Sequence, residues 1–212
     1  LLTAILGNGI PAFLFTKAQT VLDSSFVGVL NSLTPLFTLF LGWLFFSNKI
    51  RKTNLLGILI GLIGAIYLST SVSDVKIDLN VYVFFIVLAT VFYAASVNII
   101  KNYLYDLDSV SISSLAFLLL GPFCGFYIFS TDFTLIYSSS EGLIALLYIA
   151  VLSIIGTALA LIIFNKLVQR SSAIFASSVT YLIPIVAIFW GIFDGEEIYL
   201  QYYIGTIIIM LA

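Results

Sequence analysis

The chain is a series of apolar runs, each about twenty residues long and separated by short polar breaks, and this spacing restricts its possible folds more than any other feature. Eight such runs lie near residues 1–20, 25–46, 54–71, 81–100, 110–129, 142–168, 171–193 and 199–212. A helix of about twenty residues rises about 30 Å, the thickness of a bilayer's hydrocarbon layer. No break between runs is long enough to be a domain. In lipid, every backbone N–H and C=O must find its partner within the protein, which leaves helices as the form these runs can take. The expected fold class is all-α, a polytopic membrane helix bundle. Only 8% of the 212 residues are charged while 62% are hydrophobic, so too little polar surface exists to cover these runs in water.

The same composition removes several functions. Eight basic and ten acidic residues leave a net charge of −2 and no polybasic patch, which excludes nucleic acid as a partner. With no histidine and one cysteine, Cys124, the chain has no means of forming an internal disulfide, a His/Cys metal site or a histidine-assisted nucleophile. No enzymatic activity, cofactor or metal is expected. All ten carboxylates fall in the breaks or at run ends, so none is placed at mid-membrane to couple protons or bind a strongly cationic solute.

Orientation follows from the distribution of Lys and Arg, because cytoplasmic loops retain the excess of positive charge. One set of alternate breaks holds Lys49, Arg51, Lys52, Lys101, Lys166 and Arg170, and the other holds only Lys17 and Lys76. The first set is therefore expected in the cytoplasm, together with both Leu1 and Ala212. Lys17 and Lys166 lie near the ends of their runs. Snorkelling to headgroups explains both, and a gate or anion-binding role remains as the second reading.

The chain also matches itself at an offset of 149 residues: Gly7 with Gly156, Lys17 with Lys166, Pro35 with Pro184 and Gly42 with Gly191, without a gap. The first run then pairs with the sixth, the second with the seventh and the third with the eighth. An odd number of crossings separates each pair, so the copies run oppositely through the membrane as inverted repeats. Runs 81–100 and 110–129 have no counterpart before Leu1, which leads to the expectation of two further spans upstream and ten in the full protein. Residues 1–72 would be the remainder of the first repeat, spans three to five. Residues 80–212 would be the second, spans six to ten with the last cut short.

The order of features within each copy is more specific than the offset. In the second copy it reads Ser171-Ser172-Ala173, Leu182-Ile183-Pro184, Gly191, Gly195-Glu196-Glu197, then Ile204-Gly205. In the first it reads Leu33-Thr34-Pro35, Gly42, Ser47-Asn48-Lys49, then Leu56-Gly57-Ile58. This pattern resembles the EamA-type repeat of the drug/metabolite transporter superfamily. The resemblance implies a ten-helix bundle in a plasma membrane, a bacterial inner membrane being expected, with cytoplasmic termini and a central cavity between the halves. It further implies alternating-access movement of small metabolites such as amino-acid-like compounds, often outward. A membrane receptor or assembly protein without transport is the alternative. The partners expected are a small-molecule solute, the lipid bilayer and, for assembly, a second copy of the chain. Asn48 departs from the pattern, standing where the family often has the glutamate kept at Glu196. Helix capping and transport chemistry both remain open for that carboxylate.

A solute site in an inverted-repeat fold lies near mid-membrane between the halves, so polar residues deep within runs are the candidates. Asn8 is one, set between Gly7 and Gly9. Asn31, Thr34 and Thr38 recur at helical spacing in the second run, as do Tyr93 and Asn98 in the fourth. Thr157 in the sixth run and Ser177 and Tyr181 in the seventh complete the set. For Asn31, Tyr93 and Asn98 a common cavity is expected, with interhelical hydrogen bonding as the competing role. Pro11, Pro35, Pro122 and Pro184 all fall within runs, where each removes a helical N–H and is expected to kink its helix. Two small-residue stripes, Gly57-Gly61-Gly64 and Gly121-Gly125, are expected to allow close helix approach.

The charge distribution makes one direct prediction. Arg51→Cys, in a chain whose Cys124 is replaced, should resist a membrane-impermeant thiol reagent applied to intact cells; efficient labelling would invert the topology.

Overall fold

The computed structural model describes residues 1–47, 79–130 and 140–211, with positions 56, 57, 59–61, 63, 64 and 67 between them. Every regular element among these residues is helical. Helix α1 is assembled from Leu2–Ala4, a π-helical turn Ile5–Gly9 and Ile10–Gln19. Helix α2 spans Ser24–Phe46 in two pieces, Ser24–Asn31 and Thr34–Phe46. Next come α3 (Leu79–Tyr103), α4 (Ser109–Phe129), α5 (Glu141–Arg170), α6 (Ala173–Asp194) and α7 (Leu200–Met210). Among the described residues, α2 to α6 are long and apolar enough to cross a membrane, and α7 is a shorter apolar helix. The run at 54–71 is helical at its described positions, and the rest of it, with Lys49, Arg51 and Lys52, lies outside the described residues.

The helices depart from α geometry at defined places. Pro11 has no N–H for Gly7, four residues back, and the π turn Ile5–Gly9 lies directly ahead of it. Pro35 and Pro184 each open the second piece of their helix: α2 breaks at Ser32-Leu33, and α6 tightens into a 3₁₀ turn over Val179–Leu182. Pro122 lies within α4 without any change of helix type.

These departures recur in register with the 149-residue offset. The π turn Ile5–Gly9 corresponds to a second π stretch, Leu152–Leu159, which contains no proline. The break at Ser32-Leu33 corresponds to the 3₁₀ turn in α6. Both helices also end alike: Ser47 and Gly195 are left-handed, with φ of 56° and 77°, and their N–H groups turn back to the carbonyls of Gly42 and Gly191. A serine bears a steric cost in that conformation that glycine does not.

The larger buried cluster joins α1, α2, α3, α6 and α7 through Ala18, Phe26, Leu30, Ile86, Ile188 and Tyr202. A second, smaller cluster packs Val97, Ile112, Val168 and Ala176, drawn from α3 to α6. Between α2 and α6 the approach is so close that a Cβ on Gly28 would overlap the Cβ of Ala187. At Gly64 an added Cβ would lie 2.9 Å from atoms of Ile208 and Ile209 on α7, so this member of the first glycine stripe does admit a neighbour. The second stripe differs from expectation. No described atom lies within 4 Å of a Cβ at Gly121 or Gly125, and α4 presents Phe126 and Phe129 outward, the latter 92% exposed. Apolar side chains face outward freely where the surrounding solvent is lipid.

Gly28→Ala should lower the apparent melting temperature of the detergent-solubilised protein, by overpacking of about 1–3 kcal/mol. Adding Ala187→Gly should recover most of the loss. Equal melting of Gly28→Ala and the parent would mean that α2 and α6 do not approach this closely.

Candidate functional site

Six helices, α1 to α6, enclose a cavity of about 1820 Å³. That exceeds the roughly 300–1,000 Å³ usual for small-molecule sites, so a metabolite fits with room for water or movement. Its walls are largely apolar. The polar groups come from both copies of the offset pattern: Asn8, Asn31 and Thr34 from the first, Tyr93, Thr157 and Thr180 from the second.

The candidate residues divide into two groups. Asn8, Asn31, Thr34, Tyr93 and Thr157 line the cavity. Thr34 donates to the Asn31 backbone carbonyl at 2.8 Å and reaches Asn31 Oδ1 at 3.3 Å. Tyr93 lies against Phe15 with ring centroids 5.7 Å apart, so α1 positions the phenol ring. Thr157 donates to the Leu152 carbonyl at 3.2 Å, a five-residue reach that the π stretch makes available.

Thr38, Asn98, Ser177 and Tyr181 do not line the cavity. Asn98 is fully buried, and its Nδ2 donates to the carbonyls of Thr38 and Ala94, both at 2.9 Å. It therefore takes the competing role, joining α3 to α2. Thr38 donates to the Thr34 carbonyl at 2.8 Å and Ser177 to the Ile174 carbonyl at 2.9 Å, each satisfied on its own helix. Tyr181 packs on the larger apolar cluster. The expectation of one common polar face on α3 fails for a geometric reason. Thr90, Ala94 and Asn98 form a row of four-residue steps buried against the bundle, whereas Tyr93, Ser96, Val97 and Ile100 form the neighbouring row that faces the cavity.

Asn165 was not among the candidates. It lines the cavity, is 1% exposed and donates through Nδ2 to Ser113 Oγ at 3.0 Å, while its Oδ1 has no partner among the described residues. An unpartnered buried carbonyl is costly and favours an incoming donor. In the sequence it stands beside Lys166 near the end of a run, where polarity alone does not distinguish a cavity residue from a boundary one. Ser96, like Thr16 and Thr180, is a further omission: it lines the cavity, and a Cβ on Gly7 would overlap its hydroxyl.

Glu196 has a role that neither copy shows in isolation. Its Oε1 accepts from Ser24 N at 2.9 Å and Ser24 Oγ at 2.6 Å, and its Oε2 accepts from Ser25 N at 3.2 Å and Ser25 Oγ at 2.6 Å. It thus caps the N-terminus of α2, whose own Asp23 makes no side-chain cap. The equivalent helix, α6, is capped locally by Ser172, which accepts from Phe175 N at 3.1 Å. Two glycines make the clamp possible: Gly195 turns the chain in the left-handed region, and a Cβ on Gly191 would lie 2.6 Å from Glu196 Oε2. Partial burial works against the charged carboxylate, but the four hydrogen bonds from Ser24 and Ser25 outweigh it and hold Glu196 below the usual carboxylate range.

A bundle of apolar helices lining an open cavity defines a polytopic integral membrane protein. The sequence matches the EamA-like transporter family over residues 1–70 and 80–212, and the chain belongs to that family, within the drug/metabolite transporter superfamily. Members of the family are membrane transporters rather than enzymes. No protein of curated function matches the chain. One solved structure, described only as a crystal structure of a protein, superposes with a TM-score of 0.65 at 14% identity, covering 98% of this chain and 71% of that one. At that identity the likeness shows a shared fold.

Glu196→Gln should reduce apparent stability by about 1 kcal/mol, since an amide can accept at only one of the two clamped oxygens. The carboxylate's depressed folded pKa contributes stability that is present above the ordinary glutamate value, about 4.3, and lost as pH falls through the lower folded value. Melting temperature measured against pH should therefore drop in acid for the parent and drop less for Glu196→Gln. Superimposable curves would remove the clamp from the stability of α2.

Proposed function

We propose that the protein is a secondary transporter that carries a small metabolite across the membrane by alternating access, with the cavity between α1 and α6 as its solute site. The observation that carries this reading is that both copies place the same backbone irregularities around one cavity. A π turn and a proline-marked break occur in α1 and α2, and again, 149 residues later, in α5 and α6. Regular helices transmit strain, whereas π and 3₁₀ turns are where a helix bends or changes register at little cost. Residues 1–72 and 80–212 act in this proposal as inverted repeats that rock against each other about the bound solute.

Several features support the assignment of parts. The Glu196 clamp and the Gly28–Ala187 contact close α2 on α6 at one end of the bundle. Lys101 Nζ donates to the Gln169 carbonyl at 3.0 Å, and Gln169 Nε2 donates to the carbonyls of Leu104 and Leu107, which ties α3 to α5 at the other. Alternate breaking of such ties is what alternating access needs. The direction proposed is outward, with both ends of the chain cytoplasmic and the bacterial inner membrane as its site. Asn8, Asn31, Tyr93 and Thr157 are the proposed solute contacts.

Proteoliposomes containing the protein should exchange a radiolabelled solute against an inside excess of the same solute, with saturation, and Asn31→Ala should weaken apparent affinity by about tenfold with little loss of folded yield. Flux that never exceeds protein-free vesicles over a broad panel of small metabolites would refute the transport reading.

A further inference from the structure

Lys17 is the only charged side chain among the described residues that line the cavity. It stands in the last turn of α1, is exposed to the cavity, and has no ion-pair or hydrogen-bond partner among the described residues. Snorkelling accounts for a lysine at a helix end, and the acids that follow in the chain or close the α6–α7 turn are engaged with other groups. Asp23 is four residues after the helix end and Tyr202 donates to its Oδ2 at 3.3 Å. Glu196 has both oxygens taken by Ser24 and Ser25, and Glu197 Oε2 accepts from Tyr199 at 2.7 Å. Among the described residues no carboxylate pairs with this cation, which stands at the edge of a largely apolar space. Its counterpart in the second copy, Lys166, does not line the cavity, so the charge is one-sided.

The remaining polar groups sharpen the chemistry. Among the described residues, Asn8 and Asn31 line the same space with no hydrogen bond donated by their amides, and Asn165 Oδ1 is a buried acceptor without a partner. No carboxylate lines the cavity among the described residues, so an ammonium group would enter without a counter-ion. A single lysine offsets one negative charge, and among the described residues no arginine lines the cavity to grip a phosphate from two sides.

We propose that the solute is an amphipathic organic monoanion: a carboxylate held by Lys17, an apolar body against the cavity wall, and no ammonium group. This deepens the transport reading and narrows its amino-acid-like solute to acids that lack the amine. Binding is the readout, so the two can fail separately.

The test compares phenylacetate, phenylacetamide, phenylalanine, phenethylamine and phenyl phosphate as probes. Ligand-induced shifts in the melting temperature of the detergent-solubilised chain are read against concentration. Phenylacetate should stabilise best. Lys17→Gln should weaken phenylacetate by about tenfold or more and leave phenylacetamide unchanged, while Lys17→Arg should retain most of the affinity. The parent's own ranking of the probes stands even if a variant is poorly folded. Phenylalanine or phenethylamine binding as tightly as phenylacetate, phenyl phosphate binding more tightly, indifference of phenylacetate to Lys17→Gln, or no binding by any probe would each overturn the proposal. Phenylacetate bound through Lys17 without flux in vesicles would uphold the site and refute transport. Flux of an amine or zwitterion independent of Lys17 would do the reverse.

Discussion

In a hydrocarbon layer no water is available to satisfy a backbone group that leaves the helical ladder, and the placement of every irregular turn in this protein follows from that. A π turn, a 3₁₀ turn or a proline each frees carbonyls that something must satisfy. In α1, α2, α5 and α6 these departures adjoin the cavity, where hydroxyl side chains are at hand: Thr34, Thr157 and Thr180 all donate to backbone carbonyls within a turn of the irregular segment. The cost of bending is therefore met locally, and the helices that bend are those that would have to move around a solute.

Two contacts then fix how the bent helices meet. Gly28 against Ala187 brings the backbones of α2 and α6 within the reach of a single methyl, and no larger pair fits there. The Glu196 carboxylate lies beyond it, accepting charge-assisted hydrogen bonds from two orphan backbone N–H groups at the start of α2, those of Ser24 and Ser25, and from the hydroxyls of the same two serines. Gly191 and Gly195 matter because they let the carboxylate arrive, one by leaving space and one by its left-handed φ. In the first copy Asn48 replaces the acid, and the helix that would be its counterpart, α6, is capped by its own Ser172. The two copies thus solve the same end-capping problem by different chemistry.

The interior is asymmetric in charge as well. Lys17 lines the cavity and Lys166 does not, although they occupy equivalent positions. The buried polar residues follow the same division of labour: Asn98 is spent on helix packing, whereas Asn31 and Asn165 keep unengaged atoms at the cavity. An amide buried in a membrane protein is therefore informative only once its partners are known, because the same desolvation cost drives both uses.

Several properties were legible in the sequence because they depend on local chemistry. Run length and charge scarcity fix membrane helices, and Pro35 and Pro184 mark the segments where two helices break. The repeated order of Pro and Gly, with Glu196 in the second copy, carries the family. Asn8, Asn31, Thr34, Tyr93 and Thr157 could be picked out as polar residues within runs. What the sequence could not reveal is rotation: Tyr93 and Asn98 share a helix and a polarity, yet the packing of α3 against α2 turns one to the cavity and buries the other. Nor could it reveal that Glu196 caps a helix 171 and 172 residues away, or that Asn165, beside a charged residue at a run's end, faces the interior. Periodicity specifies which side chains lie on one face of a helix, but which face turns inward is decided by close packing between helices far apart in the chain, and only the tertiary structure contains that information.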